Sequence, residues 1–406
     1  MKQRILIFYD HFYPSYKAGG PTQSLVNLVR ELHDVYELFV VCKPHERGEH
    51  TLLPGIIANS WMEWERRGEE KVKSEDQVED KVKVEDKVEA KAKVFYWQYG
   101  WGVKSELLTI LDTISPDVVY INGIYSLYFN FFPLWYAVQY KAKKKSLKIV
   151  LSARGMLHDG ALSQKSSKKK LFLSVFKLLG LHRVVRWHAT DVREAGFIEA
   201  AMGKRVDVGV AANFPNLLPV VACPVKEANA LVLGTVALIS PMKNHLAVLQ
   251  ALQQCKANIN WFIYGPVKDE AYWNECKMLI DQLPSNINVV YKGELPPPQL
   301  REAMQQFQVF IMPSKSENFG HAIMEALSAG KPVITTTTTP FGDLEKANCG
   351  FAVDPAHLVE GLEKAIDRFA AMNAEEFSNA SKATQVYLAA KTDAASLRAA
   401  YNMLFN

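Results

Sequence analysis

Short apolar runs alternate with amphipathic stretches along most of the chain. Near the amino end, RILIFY at 4–9 has the continuous apolar character of a buried strand. After Gly19 and Gly20, the apolar residues of SLVNLVREL recur at helical spacing, and VYELFVVCK then has the pattern of a second strand. Strand, glycine loop, helix and strand form the start of a βαβ unit, which predicts a parallel sheet.

A second series of alternating elements begins near residue 231, where four helical patterns separate five strand patterns. The predicted strands are 231–239, 258–265, 286–293, 309–314 and 331–336. This order predicts a doubly wound sheet, whose ligands bind outside the carboxyl ends of its strands. The stretch at 214–229 is rich in proline and lacks periodicity, so it is the best position for a domain boundary.

The predicted architecture is α/β, with two Rossmann-like doubly wound domains in tandem facing a cleft. We place the domains at 1–214 and 215–380, and we expect a C-terminal helix at 381–406 to pack back on the first domain. Residues 71–94 repeat the pattern EDxV and contain no Gly, Pro or aromatic residue. They are predicted to be a low-complexity insertion, either a solvated hairpin or a mobile loop.

The composition agrees with a globular protein that has no structural metal or disulfide framework. The chain has 406 residues, of which 49% are hydrophobic and 22% are charged. Its five cysteines include no CxxC pair, which argues against a Cys-type zinc site. No uninterrupted apolar run approaches the roughly 18 residues of a membrane span, and the amino end lacks a signal-peptide pattern. We therefore expect a cytoplasmic protein.

Positive charge is concentrated between residues 141 and 205, where sixteen Lys and Arg face four Asp and Glu. Within this region three consecutive lysines precede the apolar stretch LFLSVFKLLGL. On a helix, Phe172, Phe176 and Leu179 share one face, so we expect 165–181 to contact an anionic membrane surface. A solvated helix remains the alternative. Nucleic acid is disfavoured because no nucleic-acid-binding motif occurs.

The most informative segment is 313–332, PSKSENFGHAIMEALSAGKP. Glu325 lies in a predicted helix that is otherwise apolar, where a carboxylate is costly unless donors such as ligand hydroxyls bond it. Asn318, Phe319 and Gly320 place a capping side chain and bare backbone at the start of that helix. Helix N-termini of this kind bind phosphate.

Glu317 and Glu325 are separated by seven residues, in the order E-NFGHAIM-E, and are followed by ALSAGKPVI. This segment resembles the E-x7-E signature of retaining glycosyltransferases of family 4, which have the two-domain GT-B fold. ALISPMKNHLAVLQAL, with Lys243, and the opening strand with its double-glycine loop resemble other segments of that family. The resemblance covers most of the chain apart from 71–94.

The resemblance implies a role for each matching residue of the second domain. Glu325 would hold the ribose of a nucleotide, and Glu317 would contact the donor sugar. The backbone of 318–320 would meet the diphosphate, and Lys243 would neutralise its charge. The sequence contains no D-x-D motif, so we expect neither a metal nor another cofactor.

In the first domain, the resemblance implies that the Gly19 and Gly20 loop closes on the diphosphate and sugar. Many relatives place an Arg five residues before the Lys, where this chain has Leu238. Arg154 is a candidate replacement at a predicted strand end, and a structural role for it is equally compatible with the sequence. Relatives often have a His near that position, whereas here His158 lies further along.

The predicted function is a retaining glycosyltransferase that moves a sugar from a UDP- or GDP-sugar to a saccharide acceptor in bacterial surface-polysaccharide synthesis. A membrane-facing segment would favour a lipid-linked acceptor and a peripheral position on the inner face of the plasma membrane. The alternative is a sugar-nucleotide 2-epimerase of similar fold. A nicotinamide oxidoreductase is disfavoured because no G-x-G-x-x-G follows a predicted strand. A lectin-like scaffold is disfavoured by the intact glutamate pair.

Overall fold

The computed structural model describes residues 2–67, 88–100, 102–158 and 166–406. The chain divides into two compact units. The first comprises Met1–Phe214 and Ala394–Asn406, and the second comprises Pro215–Asp393. Each unit is built on its own mainly parallel sheet with helices packed against it, which is the α/β architecture that the alternating patterns predict.

The described part of the first unit contains an eight-stranded sheet in the order β3-β4-β2-β1-β5-β6-β7-β8. The strands are β1 (Arg4–Phe8), β2 (Glu37–Cys42), β3 (Trp61–Arg67), β4 (Val88–Tyr96), β5 (Val118–Asn122), β6 (Lys148–Ser152), β7 (Arg186–Ala189) and β8 (Asp207–Val210). All neighbouring pairs are parallel except β3 and β4. The strands β1 and β5 are buried almost throughout, because helices cover both faces of the sheet there.

Helices cover this sheet on both faces. They are α1 (Gly20–Leu32), α2 (Val103–Ile114), α3 (Phe132–Lys143), α4 (Ser166–Leu178), α5 (Leu181–Val184), α6 (Val192–Met202) and the C-terminal α13 (Ala394–Phe405), and a π-helical turn (Leu127–Phe131) precedes α3. Phe405 of α13 is fully buried in the core of the first unit.

The predicted insertion at 71–94 extends too far. Residues 88–94 belong to β4, which pairs with β2 on one side and β3 on the other. Ala92 and Val94 are buried while Lys91 and Lys93 are exposed, which is the period-two pattern of a half-buried strand. The alternation was not recognised in the sequence because the repeated EDxV units run directly into it. Residues 71–87 of the predicted insertion lie outside the described residues.

The second unit contains a six-stranded parallel sheet in the order β11-β10-β9-β12-β13-β14. Its strands are β9 (Ala230–Val236), β10 (Asn258–Tyr264), β11 (Ile287–Tyr291), β12 (Val309–Ile311), β13 (Val333–Thr336) and β14 (Gly350–Val353). The first five confirm the strands predicted from the apolar runs. The strand β14, with the sequence GFAV, was not predicted.

The helices of the second unit follow the alternating order of the sequence. They are α7 (His245–Leu252), α8 (Glu270–Ile280), α9 (Leu300–Gln305), α10 (His321–Ser328), α11 (Leu358–Ala371) and α12 (Ala374–Lys391), with short 3-10 turns at Pro297–Gln299 and Pro355–His357. The predicted boundary at 380/381 is wrong, because α12 runs across it as one continuous helix with an Asn373 capping box at its start. The chain returns to the first unit at Ala394.

Candidate functional site

Two neighbouring strands of the second sheet, β9 and β12, end where the strand order reverses. The backbone N–H of Lys315 donates to the carbonyl of Met242 at 2.9 Å, so the loops that follow the two strands are tied together. A crevice at such a reversal is the usual ligand position in an open α/β sheet.

Lys243 and Glu317 meet on these two loops as an ion pair between Nζ and Oε1. Their side chains are 20% and 14% exposed, so the pair is largely shielded but remains open to solvent. Asn244, with φ 63°, turns the chain from Lys243 into helix α7. The structure therefore brings together two residues to which the sequence assigned separate roles.

Glu325 lies on the buried face of helix α10 and is only 8% exposed. Its Oε1 accepts a hydrogen bond from Asn216 Nδ2 at 3.0 Å. A carboxylate can accept several hydrogen bonds, so the bond from one amide does not by itself exhaust its acceptor capacity. Sequence reasoning missed Asn216, although it lies in the segment AANFPN that carried part of the resemblance.

Helix α10 begins differently from the prediction. Its N-cap is Gly320, with φ 73°, and no side chain caps the helix. The predicted capping role of Asn318 is therefore wrong, since the turn at Gly320 places Asn318 before the first helical turn. A Cβ at Gly320 would lie 2.8 Å from Phe341 Cε2, so glycine is required by both backbone conformation and space. Gly330, with φ 81°, follows the end of the helix as predicted.

In the first unit, the Gly19 and Gly20 loop follows β1 and leads directly into α1, which begins at Gly20. Gly19 has φ 79° and ψ −147°, a conformation that is essentially restricted to glycine. The bare N-terminal turn of α1 is preceded by this bend and has no side-chain cap. Gly19 is thus required by the backbone conformation itself, whatever the loop binds.

Arg154 follows β6 and is anchored by other residues of the first unit. Its Nε and Nη2 donate to Asn122 Oδ1 at 2.9 and 2.6 Å, and its Nη1 donates to Asn213 Oδ1 at 2.7 Å. Nη2 also lies 3.3 Å from the hydroxyl oxygen of Tyr120. These contacts support the structural role for Arg154 that the sequence left open.

The network continues from Tyr120 to His188, which is fully buried. The Tyr120 hydroxyl lies 2.8 Å from His188 Nδ1, and His188 Nε2 lies 2.8 Å from the carbonyl oxygen of Ala211. Burial, with a smaller contribution from Arg154, lowers the pKa of His188 to about 3. The neutral ring therefore donates from Nε2 to Ala211 and accepts from Tyr120.

Helix α4 lies within the basic segment and presents a different face from the predicted one. Phe176 is 2% exposed and packs against Trp187 at 6.2 Å between ring centroids, and Phe172 packs against Tyr125 at 5.5 Å. Of the predicted face of Phe172, Phe176 and Leu179, the two phenylalanines therefore pack against the core of the first unit, whereas Leu179 is 42% exposed. A second stripe lies outward, at Leu171, Val175 and Leu178, which are 68%, 43% and 86% exposed. Exposed lysines flank this stripe at Lys168, Lys170 and Lys177.

Among the described residues, no cluster of three or more His, Cys, Asp or Glu could hold a metal ion. A membrane-crossing helix is likewise absent from the part of the chain that the structure describes.

Residues 224–385, within the second unit, match the family model of glycosyl transferases group 1. A stretch of 113 residues is 26% identical to the sulfoquinovosyl transferase SQD2 of Arabidopsis thaliana. That stretch covers 27% of this chain and 20% of the plant protein. Glu317, Glu325 and Lys243 all lie within residues 224–385, the part of the chain that matches the family model.

Solved structures that resemble the chain span nearly its whole length. HepE of Anabaena, determined in complex with UDP and glucose, superimposes with a TM-score of 0.62 at 17% identity, covering 97% of both chains. Sucrose-phosphate synthase of Thermosynechococcus elongatus superimposes with a TM-score of 0.68 at 14% identity, covering 100% of this chain and 99% of that one. The neighbours are glycosyltransferases of the GT-B fold, so this chain has the GT-B fold.

Proposed function

We propose that the chain is a retaining glycosyltransferase that moves a sugar from a nucleotide sugar to a saccharide acceptor in bacterial surface-polysaccharide synthesis. The observation that carries this proposal is the Lys243 and Glu317 pair on the loops after β9 and β12. It lies in the unit that matches the glycosyl transferases group 1. The neighbour HepE has been determined with UDP-glucose, which supports a UDP-sugar as the first donor to test.

The pair suits a diphosphate because its cation can exchange partners. When a nucleotide sugar binds, its diphosphate would replace the Glu317 carboxylate as the main partner of Lys243. Glu317 would then accept hydrogen bonds from hydroxyls of the donor sugar. The N–H groups at the start of α10 would add donors to the phosphate oxygens, and the helix dipole would favour their charge.

Glu325 would bind the ribose. Asn216 bonds one of its oxygens at 3.0 Å, and this bond orients the carboxylate without neutralising it. Two ribose hydroxyls could donate to such a carboxylate, and bonds of this kind to a charged group are stronger than neutral ones.

In the proposed transfer, the bond between the anomeric carbon and the diphosphate oxygen breaks, and its electron pair remains on the diphosphate. The acceptor oxygen attacks the face that the diphosphate leaves, so the anomeric configuration is retained. A diphosphate oxygen takes the acceptor proton. Lys243 stabilises the charge that develops on the leaving group, where a preorganised cation has its largest effect. Arg154 stays a candidate for a second cation, and we expect no metal to be needed.

The outward stripe of α4 supports a peripheral position on an anionic membrane and a lipid-linked acceptor. Leu171, Val175 and Leu178 recur at i, i+4 and i+7 with lysines on either side, the pattern of a helix that lies in a membrane interface. We place the protein at the inner face of the plasma membrane, with 165–181 in contact with it.

The proposal is tested by incubating the protein with UDP-glucose, UDP-galactose, UDP-N-acetylglucosamine and GDP-mannose, with and without a lipid extract as acceptor. Release of nucleotide that depends on the extract, with the product anomer read by NMR, is the expected result. The reaction should persist in excess EDTA. An inverted anomer would reject the retaining mechanism, and a 2-epimerised nucleotide sugar would favour the epimerase alternative.

The membrane contact is tested separately by co-sedimentation with vesicles that contain phosphatidylglycerol. Leu171→Ser combined with Leu178→Ser should reduce binding more than tenfold, since both side chains are exposed and their burial in the interface would be lost. Phe176→Ser is not a suitable probe because Phe176 packs in the core. Equal sedimentation of wild type and the double variant would reject the contact.

A further inference from the structure

A buried carboxylate lies beside the double-glycine loop of the first unit. Glu46, in the loop after β2, is only 4% exposed. Its Oε2 accepts from Ser15 Oγ at 2.8 Å, from the backbone N–H of Lys17 at 3.3 Å and from that of Arg47 at 3.3 Å. Its Oε1 accepts from the backbone N–H of Tyr16 at 2.8 Å. Three of these four donors belong to the segment 15–17, so the carboxylate binds that segment as a unit.

Tyr16 connects Glu46 to the glycines. Its N–H donates to Glu46 Oε1, and its carbonyl accepts the N–H of Gly19 at 3.1 Å. The carbonyl of Gly19 in turn accepts the N–H of Thr22 at 3.1 Å, in the first turn of α1. One unbroken chain of hydrogen bonds therefore runs from the buried carboxylate through Tyr16 and Gly19 into the start of the helix.

A carboxylate is the group that this arrangement requires. It only accepts hydrogen bonds, and its two oxygens can take the four donors that converge on it. A glutamine would direct an NH2 group at one set of donors, so that side of the interaction would become repulsive. Bonds from N–H groups to a carboxylate are also shorter and stronger than bonds to a neutral acceptor.

We propose that Glu46 is a positioning residue that holds the Gly19 and Gly20 loop in the conformation that receives the donor diphosphate. This inference rests on the proposed function, and it takes from the family resemblance the implication that the double-glycine loop contacts the donor diphosphate. Glu46 acts through Tyr16 and Gly19 and does not itself contact the donor.

The same loop provides a matched control. Glu49 lies three residues after Glu46 and also contacts the segment, through an ion pair with Lys17 Nζ at 2.9 Å. The Glu49 side chain is 46% exposed, and its partner is a flexible lysine side chain, whereas Glu46 binds backbone. Exposed ion pairs of this kind contribute little, so Glu49→Gln should leave the loop unchanged.

The experiment measures hydrogen exchange of a peptide covering residues 13–20 and calorimetric binding of UDP-glucose and GDP-mannose, for wild type and variants. In Glu46→Gln, the amides of Tyr16 and Lys17 should exchange at least about tenfold faster, because their charged acceptor is lost. Affinity for the bound nucleotide sugar should fall by roughly tenfold. Ser15→Ala removes one bond and keeps the carboxylate, so it should give a smaller change of about threefold. Glu49→Gln should match wild type in both measurements.

Faster exchange without loss of affinity in Glu46→Gln would overturn the proposal, because the loop could then loosen without weakening the binding of the nucleotide sugar. Unchanged exchange would overturn it as well. If Glu46→Gln does not fold, Ser15→Ala decides between the same outcomes. If wild type binds neither nucleotide sugar, the proposed function fails for these donors, and equal exchange rates in wild type and Glu46→Gln would then still reject the positioning of the loop.

Discussion

The carboxyl edges of the two sheets hold their polar side chains in opposite ways. At the edge of the first sheet, Arg154 is bonded to Asn122 and Asn213, and the network continues through buried groups. At the edge of the second sheet, Lys243 pairs with Glu317 at a position that is open to solvent. The first arrangement is satisfied within the protein, whereas the second can exchange one partner for a ligand.

The first arrangement is typical of a structural network, and the second is typical of a position that binds a ligand. A guanidinium with several fixed acceptors is costly to remove, because the Asn122 and Asn213 side chains that it leaves behind are themselves buried. A partly exposed ion pair contributes little to stability, because water can replace either partner. Lys243 and Arg154, both of which the sequence offered as candidate phosphate-binding cations, should therefore respond differently to substitution.

The largest expected effect is on catalysis, at Lys243. Lys243→Met should lower turnover by roughly 100- to 1,000-fold, since it removes a preorganised charge from the leaving diphosphate. Its free energy of unfolding should change by no more than about 1 kcal/mol, because Glu317 can be rehydrated at the open edge. Steady-state kinetics and urea unfolding measure the two quantities. Full turnover in Lys243→Met would remove this residue from the site, and Lys315→Met, on the neighbouring loop after β12, is the control.

Substitution of Arg154 should mainly lower the stability of the first unit. Arg154→Ala leaves the side-chain oxygens of Asn122 and Asn213 without their donor, and it should lower the free energy of unfolding by roughly 3 kcal/mol. Arg154→Lys should recover little of this loss, since an ammonium cannot reproduce the fork of the guanidinium. Urea unfolding with hydrogen exchange resolves the effect on the first unit. A variant that keeps wild-type stability but loses turnover would show instead that Arg154 acts on the ligand.

Substitution of Glu325 tests whether the carboxyl edge of the second sheet binds a nucleotide. Glu325→Ala should weaken binding of UDP-sugars and of UDP alone by roughly 1.5–3 kcal/mol, the amount expected for lost bonds to a charged acceptor. Glu345→Gln is the matched control, because Glu345 belongs to an exposed ion pair with Arg368 in the same unit. Calorimetry with UDP distinguishes a ribose contact from a sugar contact. Unchanged affinity for UDP would contradict the ribose assignment.

The sequence predicted the second unit better than the first, for physical reasons. Its buried strands are continuous apolar runs, and β9 to β13 all lie where those runs predicted them. In the first unit, β4 alternates small or apolar residues with lysines after a charged repeat, so its pattern was attributed to an insertion. Helix α4 showed two apolar stripes, and only packing against Trp187 decided which of them is buried.

Contacts between distant residues could not be read from the sequence. The ion pair of Lys243 and Glu317 joins positions 74 residues apart, and the bond of Asn216 to Glu325 spans 109. Glu46 had no motif to mark it, because three of its four partners are backbone groups, which carry no sequence signature. The residue types of the site were predictable from E-x7-E, whereas their partners depended on the fold.

Two buried histidines, one in each unit, also test the comparison between the two sheets, and we expect their substitution to have the smallest effects. In the first unit, both ring nitrogens of His188 have partners. In the second unit, His245 is 1% exposed between Trp261 and Tyr272, and neither ring nitrogen has a hydrogen-bond partner among the described residues. Burial, followed by the charge of Lys243, lowers the pKa of His245 to about 4.

The pH dependence follows from these pKa values. Between pH 6.5 and about pH 4, the unfolded chain binds a proton at His245 that the folded chain does not, so stability falls as pH falls through this window. At pH 5.5 the loss amounts to roughly 1 kcal/mol. His245→Phe removes this loss without breaking a hydrogen bond. The free energy of unfolding at pH 5.5 should therefore rise by about 1 kcal/mol, with little change at pH 7.5.

In His188→Phe, the free energy of unfolding should instead fall by roughly 1–3 kcal/mol at pH 7.5, because Tyr120 and Ala211 lose a buried partner. Urea unfolding of both variants at the two pH values provides the measurement. A loss at pH 7.5 in His245→Phe as large as in His188→Phe would show that His245 is bonded as fully as its counterpart, and the contrast between a satisfied edge and an open one would not extend beyond Lys243 and Glu317.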